Sequence, residues 1–126
     1  MAQHIALLGD SVFDNDTWAR AAPEVLTCLR EYLPSDWTAS LHARDGSTLV
    51  NVGGQTARRP WETTHVVASM GGNDLLTLPM VMPRHTATTV ELLAWLTKQA
   101  HRFEDLYRRT LAELISLHLD LTVCTI

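Results

Sequence analysis

The sequence predicts an α/β fold, a parallel sheet with helices on both faces joined by right-handed crossovers. Two observations carry that expectation. Apolar runs of strand length alternate with segments of helical periodicity, in the order strand, helix, strand, strand, helix, strand. Two of the runs, 4–8 and 66–70, end at glycine and then turn polar, as Gly9-Asp10-Ser11 and Gly71-Gly72-Asn73-Asp74. In open parallel sheets the rim at the carboxyl ends of the strands is where ligands bind.

The first run is rich in leucine and isoleucine, as a strand buried on both faces is, and Gly9 permits the tight backbone that ends it. Residues 12–17 are turn-rich, and Asp16 or Thr17 is placed to cap a helix beginning near Trp18. Pro23 suits a fresh first turn, after which Val25, Leu26, Leu29, Tyr32 and Leu33 recur at helical spacing until Pro34. This is the crossover helix between two parallel strands. The second strand, 37–43, is less apolar and belongs near an edge. Gly53, Gly54 and Pro60 interrupt 48–61, so a short helix or turn over 49–52 and then an irregular link are expected. The third strand covers 65–69, and Asn73 or Asp74 starts a brief helix through Leu78. Pro79 and Pro83 break the next stretch, leaving 80–87 as a surface loop near the site.

Thr88-Thr89-Val90-Glu91 has the Thr-x-x-Glu form of a capping box and announces a helix. Its apolar stripe continues through Leu92, Leu96, Phe103, Tyr107, Leu111 and Leu114. Unbroken to Leu117, it would span roughly 45 Å, more than a domain of this size needs. A kink at 98–101 or two stacked segments is therefore expected. A fourth strand occupies 119–126.

A chain of 126 residues is one domain, 1–126, with a single core. Its 46% apolar and 19% charged residues place it among globular proteins, and a net charge of -4 with scattered basic residues argues against nucleic acid as a partner. Cys28 and Cys124 fit neither a metal spacing nor a disulfide framework, and read as small core residues in a reducing compartment. No basic region precedes the first short apolar run, and no apolar segment approaches the roughly 20 residues that span a bilayer. A cytoplasmic location without a membrane span is expected. There is no phosphate-binding loop, no dinucleotide fingerprint and no His-Glu-x-x-His pair, so no cofactor or metal is expected. The Gly-x-Ser-x-Gly elbow of ordinary α/β-hydrolases is also absent.

Ser11, delivered to the rim after the first strand, is a candidate nucleophile; taken alone it reads first as a loop serine capping the next helix, and the second glycine-polar motif shifts the balance. Asn73 can donate through its amide to an oxyanion. Gly46 is either a plain turn glycine or a place where backbone approaches a substrate closely. In order and spacing, Gly9-Asp10-Ser11, the lone glycine of Arg44-Asp45-Gly46-Ser47-Thr48, and Gly71-Gly72-Asn73-Asp74 resemble the first three sequence blocks of the SGNH/GDSL esterase and lipase family. The resemblance covers almost the whole chain. It implies a flavodoxin-like three-layer α/β/α sandwich with strand order 2-1-3-4, a fifth strand being missing here. It further implies a hydrolase for small acyl esters, with Ser11 as nucleophile and an oxyanion hole formed by the backbone N–H groups of Ser11 and Gly46 and the Asn73 side chain. Asp10, Gly71 and Gly72 join these as the substrate-binding segments.

In that family the catalytic histidine lies near the C-terminus in an Asp-x-x-His block, and this sequence contains none. The domain is therefore expected to be incomplete, a truncated or naturally shortened form with impaired hydrolysis. His4, His65 and His118 fall at the rim opposite Ser11, His101 lies on the long helix, and His42 is near the end of the second strand. His85, in the loop after the third block, is the one with a route to the site. Asp10, Asp14 and Asp74 are expected to tie down loop N–H groups rather than bind metal. Trp18, Trp61 and Trp95 are expected in packing, with Trp61 also placed to line a cleft. Two rival functions arise from the same residues. One is a binding module that holds a small acyl or anionic ligand without cleaving it. The other is a remnant whose exposed fourth strand, with Leu121, Val123 and Ile126, pairs with another chain and so self-associates.

Overall fold

A computed structural model describes residues 2–83 and 88–124. Four strands, β1 (Gln3–Gly9), β2 (Trp37–Leu41), β3 (His65–Ser69) and β4 (Asp120–Val123), form one sheet in the order β2-β1-β3-β4, with every pairing parallel. The helices are α1 (Asp16–Ala19), α2 (Val25–Tyr32), α3 (Leu49–Ala57), α4 (Gly72–Leu76), α5 (Leu78–Val81) and α6 (Thr89–Ile115). This is the expected α/β sandwich with the expected strand order.

Alternation along β1 divides the core into two layers. Ala6 and Leu8 face one way with Val66 and Ala68 of β3, and pack under Leu49 and Val52 of α3 and Leu114 of α6. Ile5 and Leu7 face the other way with Ala39 of β2, and meet Leu26 of α2 and Phe13. Because β1 is covered on both sides, truncating Leu7 or Leu8 to alanine would cost about 2–5 kcal/mol. The less apolar β2 is at an edge, as its composition suggests.

Several elements depart from expectation, each for a local reason. The first short helix begins at Asp16, not near Trp18, and neither Asp16 nor Thr17 caps it. Asn15 precedes it and sends its side-chain carbonyl to the Val25 N–H, at 3.0 Å. That bond starts α2 at Val25, leaving Pro23 before the helix instead of in its first turn. β2 ends at Leu41, where His42 and Ala43 both donate to the Leu7 carbonyl and turn the chain out of the ladder.

The glycine pair does not stop α3. A reciprocal capping box between Thr48 and Asn51 starts it, and the buried Leu49, Val52 and Gln55 hold it through Gly53 and Gly54 to Ala57. Pro79 sits in the first turn of α5, where proline is tolerated, so Met80 and Val81 are helical rather than loop. Met82 and Pro83 are non-helical, as expected, and the rest of the expected loop, 84–87, lies outside the described residues. The capping box at Thr88 and Glu91 forms as expected, and α6 then runs 27 residues without the expected break. β4 covers only Asp120–Val123; residues 125 and 126 lie outside the described residues.

Trp18 and Trp61 do not pack: they are 64% and 94% exposed, and Trp18 instead donates through its indole N–H to Asp45, at 3.2 Å. Trp95, Cys28 and Cys124 are half-buried, so neither thiol is a full core residue.

Candidate functional site

The sheet brings the ends of β1 and β3 side by side, with Gly9 paired to Ser69. Gly9 has φ +121°, and a Cβ there would collide with the Ser69 carbonyl, so only glycine allows this approach. Asp10 then donates its N–H to that same carbonyl and turns inward, buried, with its carboxylate accepting the Val12 N–H at 3.1 Å. Its own carbonyl receives the N–H groups of Phe13 and Asp14. Within residues 10–14, the N–H of Ser11 therefore stands alone in meeting no acceptor among the described residues. The half-buried Ser11 hydroxyl has no partner among them either.

The segment after β2 repeats this pattern. Arg44 donates to the Gly9 carbonyl at 3.0 Å, Asp45 to the Asp14 carboxylate at 2.7 Å, and Ser47 to the Arg44 carbonyl. Thr48 donates to the Asn51 side chain and Leu49 to the Asp74 carboxylate at 2.9 Å. In residues 44–49 the N–H of Gly46 is the one left without an acceptor among the described residues. Gly46 has φ +78° and open space where a side chain would stand.

The third segment locks onto the second. Gly71, at φ +99°, turns the chain into α4. Asn73 Nδ2 donates to the Ser47 carbonyl at 2.8 Å, which uses one of its two N–H bonds and leaves the other. Gly72 lies next to the buried Asp10 carboxylate, and a side chain there would be in ordinary contact with it. The Asp74 carboxyl is raised above its ordinary value, chiefly by burial and further by the neighbouring Asp10, against the opposing pull of the Leu49 N–H and its own. Asp10, Asp14 and Asp74 thus tie down loop N–H groups, as expected. Among the described residues, no group of three or more His, Cys, Asp and Glu side chains could hold a metal.

Gln55, a residue the motifs do not mark, joins the three segments. It is 1% exposed; its Oε1 accepts the Gly9 N–H at 2.6 Å, and its Nε2 donates to the Gly9 carbonyl at 2.8 Å and to Ser47 Oγ at 3.2 Å. Its signal in the sequence is position: Leu49, Val52 and Gln55 recur every third residue, so a polar side chain stands on an apolar stripe.

No histidine among the described residues hydrogen-bonds to Ser11. His85 lies outside the described residues. His4 Nδ1 meets Thr38 Oγ1 at 2.7 Å and its Nε2 meets Ser40 Oγ at 2.8 Å, while His42 Nε2 meets the same Ser40 oxygen at 2.8 Å. Since the Thr38 hydroxyl donates to the Gln3 carbonyl, one direction satisfies every link: His42 to Ser40, Ser40 to His4, and His4 to Thr38. The His42 pKa is lowered, first by burial and then by His4 and Arg58. His65 pairs with Asp120 at 3.2 Å, and His101 and His118 are exposed.

No family model and no curated protein matches this sequence. Solved structures do. A variant of the esterase AlinE4 superposes with a TM-score of 0.58 at 16% identity, covering 98% of this chain and 58% of that one. An acetyl xylan esterase, AlAXEase, gives a TM-score of 0.61 at 16% identity, covering 97% of this chain and 57% of that one. The chain thus has an esterase-like fold and spans less than three fifths of the length of either neighbour. Among the described residues, no helix is long and apolar enough to cross a membrane.

Proposed function

We propose that this chain is an SGNH/GDSL-type ester hydrolase scaffold acting on small acyl esters through Ser11. One observation carries the reading. Within residues 10–14 and 44–49, every backbone N–H has an acceptor among the described residues except those of Ser11 and Gly46, and Asn73, bonded to the Ser47 carbonyl next to Gly46, has a second amide hydrogen with no acceptor among them. Donors left unpaired and fixed in place are what a tetrahedral oxyanion needs. Ser11 Oγ would bond to the acyl carbon as the ester C–O bond breaks, the serine proton passing through water to the departing alcohol; a second water then releases the acid and restores Ser11. Gly71 and Gly72 would let backbone line the acyl group, with Asp10 holding the turn beneath it.

With no histidine among the described residues bonded to Ser11, hydrolysis on this reading is slow. The two unpaired thiols suit a cytoplasmic setting. Hydrolysis of p-nitrophenyl acetate tests the reading: weak turnover that disappears in Ser11→Ala supports it, and equal rates in the two proteins refute it.

That no histidine among the described residues bonds to Ser11 favours a second reading, a module that holds a small ester or acid without cleaving it. Saturable binding retained in Ser11→Ala, with no turnover by either protein, would select it. The outer edge of β4, which pairs with no strand among the described residues, supports self-association of either form. A concentration-dependent dimer lost in Val123→Lys would establish that contact.

A further inference from the structure

Gln55 is a neutral polar side chain in the core, and burying an amide is costly unless each polar atom is paired. All of its pairs are made to the candidate site. It takes and gives a hydrogen bond at Gly9, two residues before Ser11, and gives another to Ser47, the residue after Gly46. The Ser47 carbonyl in turn holds the Asn73 amide. One side chain on α3 thereby reaches Ser11's turn directly, Gly46's loop directly, and Asn73 through a single intermediate. The sheet does not supply this link: β2 ends at Leu41, before the Gly46 loop, and Asn73 lies beyond the end of β3.

We propose that Gln55 is a positioning residue, setting the separation between Ser11 and the donors of Gly46 and Asn73. It rests on the esterase reading only in that these three groups act on one substrate. An amide suits the task because it offers an acceptor and two donors in one rigid plane. A carboxylate at 55 would still accept from Gly9 N–H but would turn an acceptor toward the Gly9 carbonyl and lose the donor to Ser47. A leucine would lose every link.

The test uses the full chain as wild type, Gln55→Glu and Gln55→Leu, with amide NMR and p-nitrophenyl acetate hydrolysis on the same samples. Should Gln55→Leu fail to fold, Gln55→Glu and Ser47→Ala carry the test, the latter cutting only the outer link and leaving both Gly9 pairs intact. Expected are coupled shifts of the Ser11 and Gly46 backbone amides and the Asn73 side-chain amide, with β4 amides in place. In Ser47→Ala the coupled shifts are those of Gly46 and Asn73. Where wild type turns over the ester, kcat falls about 10- to 100-fold in the Gln55 variants with KM nearly unchanged, the mark of misplacement rather than lost binding. Shifts confined to Gly9 and α3, with kcat unchanged, overturn the positioning role and leave the esterase reading standing. Coupled shifts in a wild type that hydrolyses nothing uphold the positioning role and overturn the esterase reading.

Discussion

Ser40 and Ser11 occupy opposite situations. Ser40 sits within β2, opposite Ala6 in the ladder, and its hydroxyl is held by His4 and His42, both at 2.8 Å. It has the base that hydrolysis calls for. Ser11 has no imidazole partner among the described residues, but it stands past the end of β1, where its own N–H and that of Gly46 meet no acceptor among them. On the proposed reading, an imidazole on a serine is not by itself a sign of catalysis. The Ser40 hydroxyl meets both imidazoles and joins the edge strand β2 to β1 through His4. The Ser11 rim leaves the N–H groups of half-buried Ser11 and exposed Gly46 without an acceptor among the described residues.

The comparison breaks most visibly through the two serines themselves. Ser11→Ala is expected to bring ester turnover down to the buffer rate, whereas Ser40→Ala keeps it within about two-fold of wild type. Loss of turnover in a folded Ser40→Ala protein would reverse the assignment. Next in size, Asn73→Ala should cut kcat by about 10²-fold, since it removes one oxyanion donor. Its effect on the melting temperature should be small by comparison, as one bond to the Ser47 carbonyl is lost.

Stability separates the same two regions in the other direction. Ser40→Ala leaves the buried His4 Nε2 without a partner and should cost about 1–3 kcal/mol in urea unfolding, while Ser11→Ala, which breaks no hydrogen bond among the described residues, should be near neutral. The smallest effect is a slope. Because the folded chain holds His42 below its ordinary 6.5, the unfolded chain binds that proton more readily. The contribution is fully present above about 6.5 and is lost as pH falls through that value toward the lower folded pKa. In His42→Gln, urea midpoints measured across that window should fall less steeply.

The strands were legible because each is a short apolar run between turn signals, their order came only from the resemblance carried by the three motif blocks, and the Gly9 and Gly71 stops pointed to the rim that carries Ser11 and Asn73. The capping box at Thr88 was equally plain, since both partners are in the sequence. What escaped were features set by distant contacts. Gly53 and Gly54 favour a break locally, yet the packing of Leu49 and Val52 against the sheet and α6 carries the helix through them. Pro79 signals a stop only where it is not in a first turn. Gln55 belongs to no motif, and its partners lie 46 and 8 residues away. Its place on an apolar stripe was the one available clue.

The length of α6 has a mechanical consequence. Its buried residues, Thr110 and Leu114, fall near the C-terminal end, while Val90, Leu93 and Leu96 toward the other end are exposed. A rod about 40 Å long is therefore clamped at its tail and supported at its head by its own hydrogen bonds and cap. Amides near Val90 open by fraying, whereas those near Leu114 open only when the sheet itself comes apart, so one helix spans the range from local to global opening.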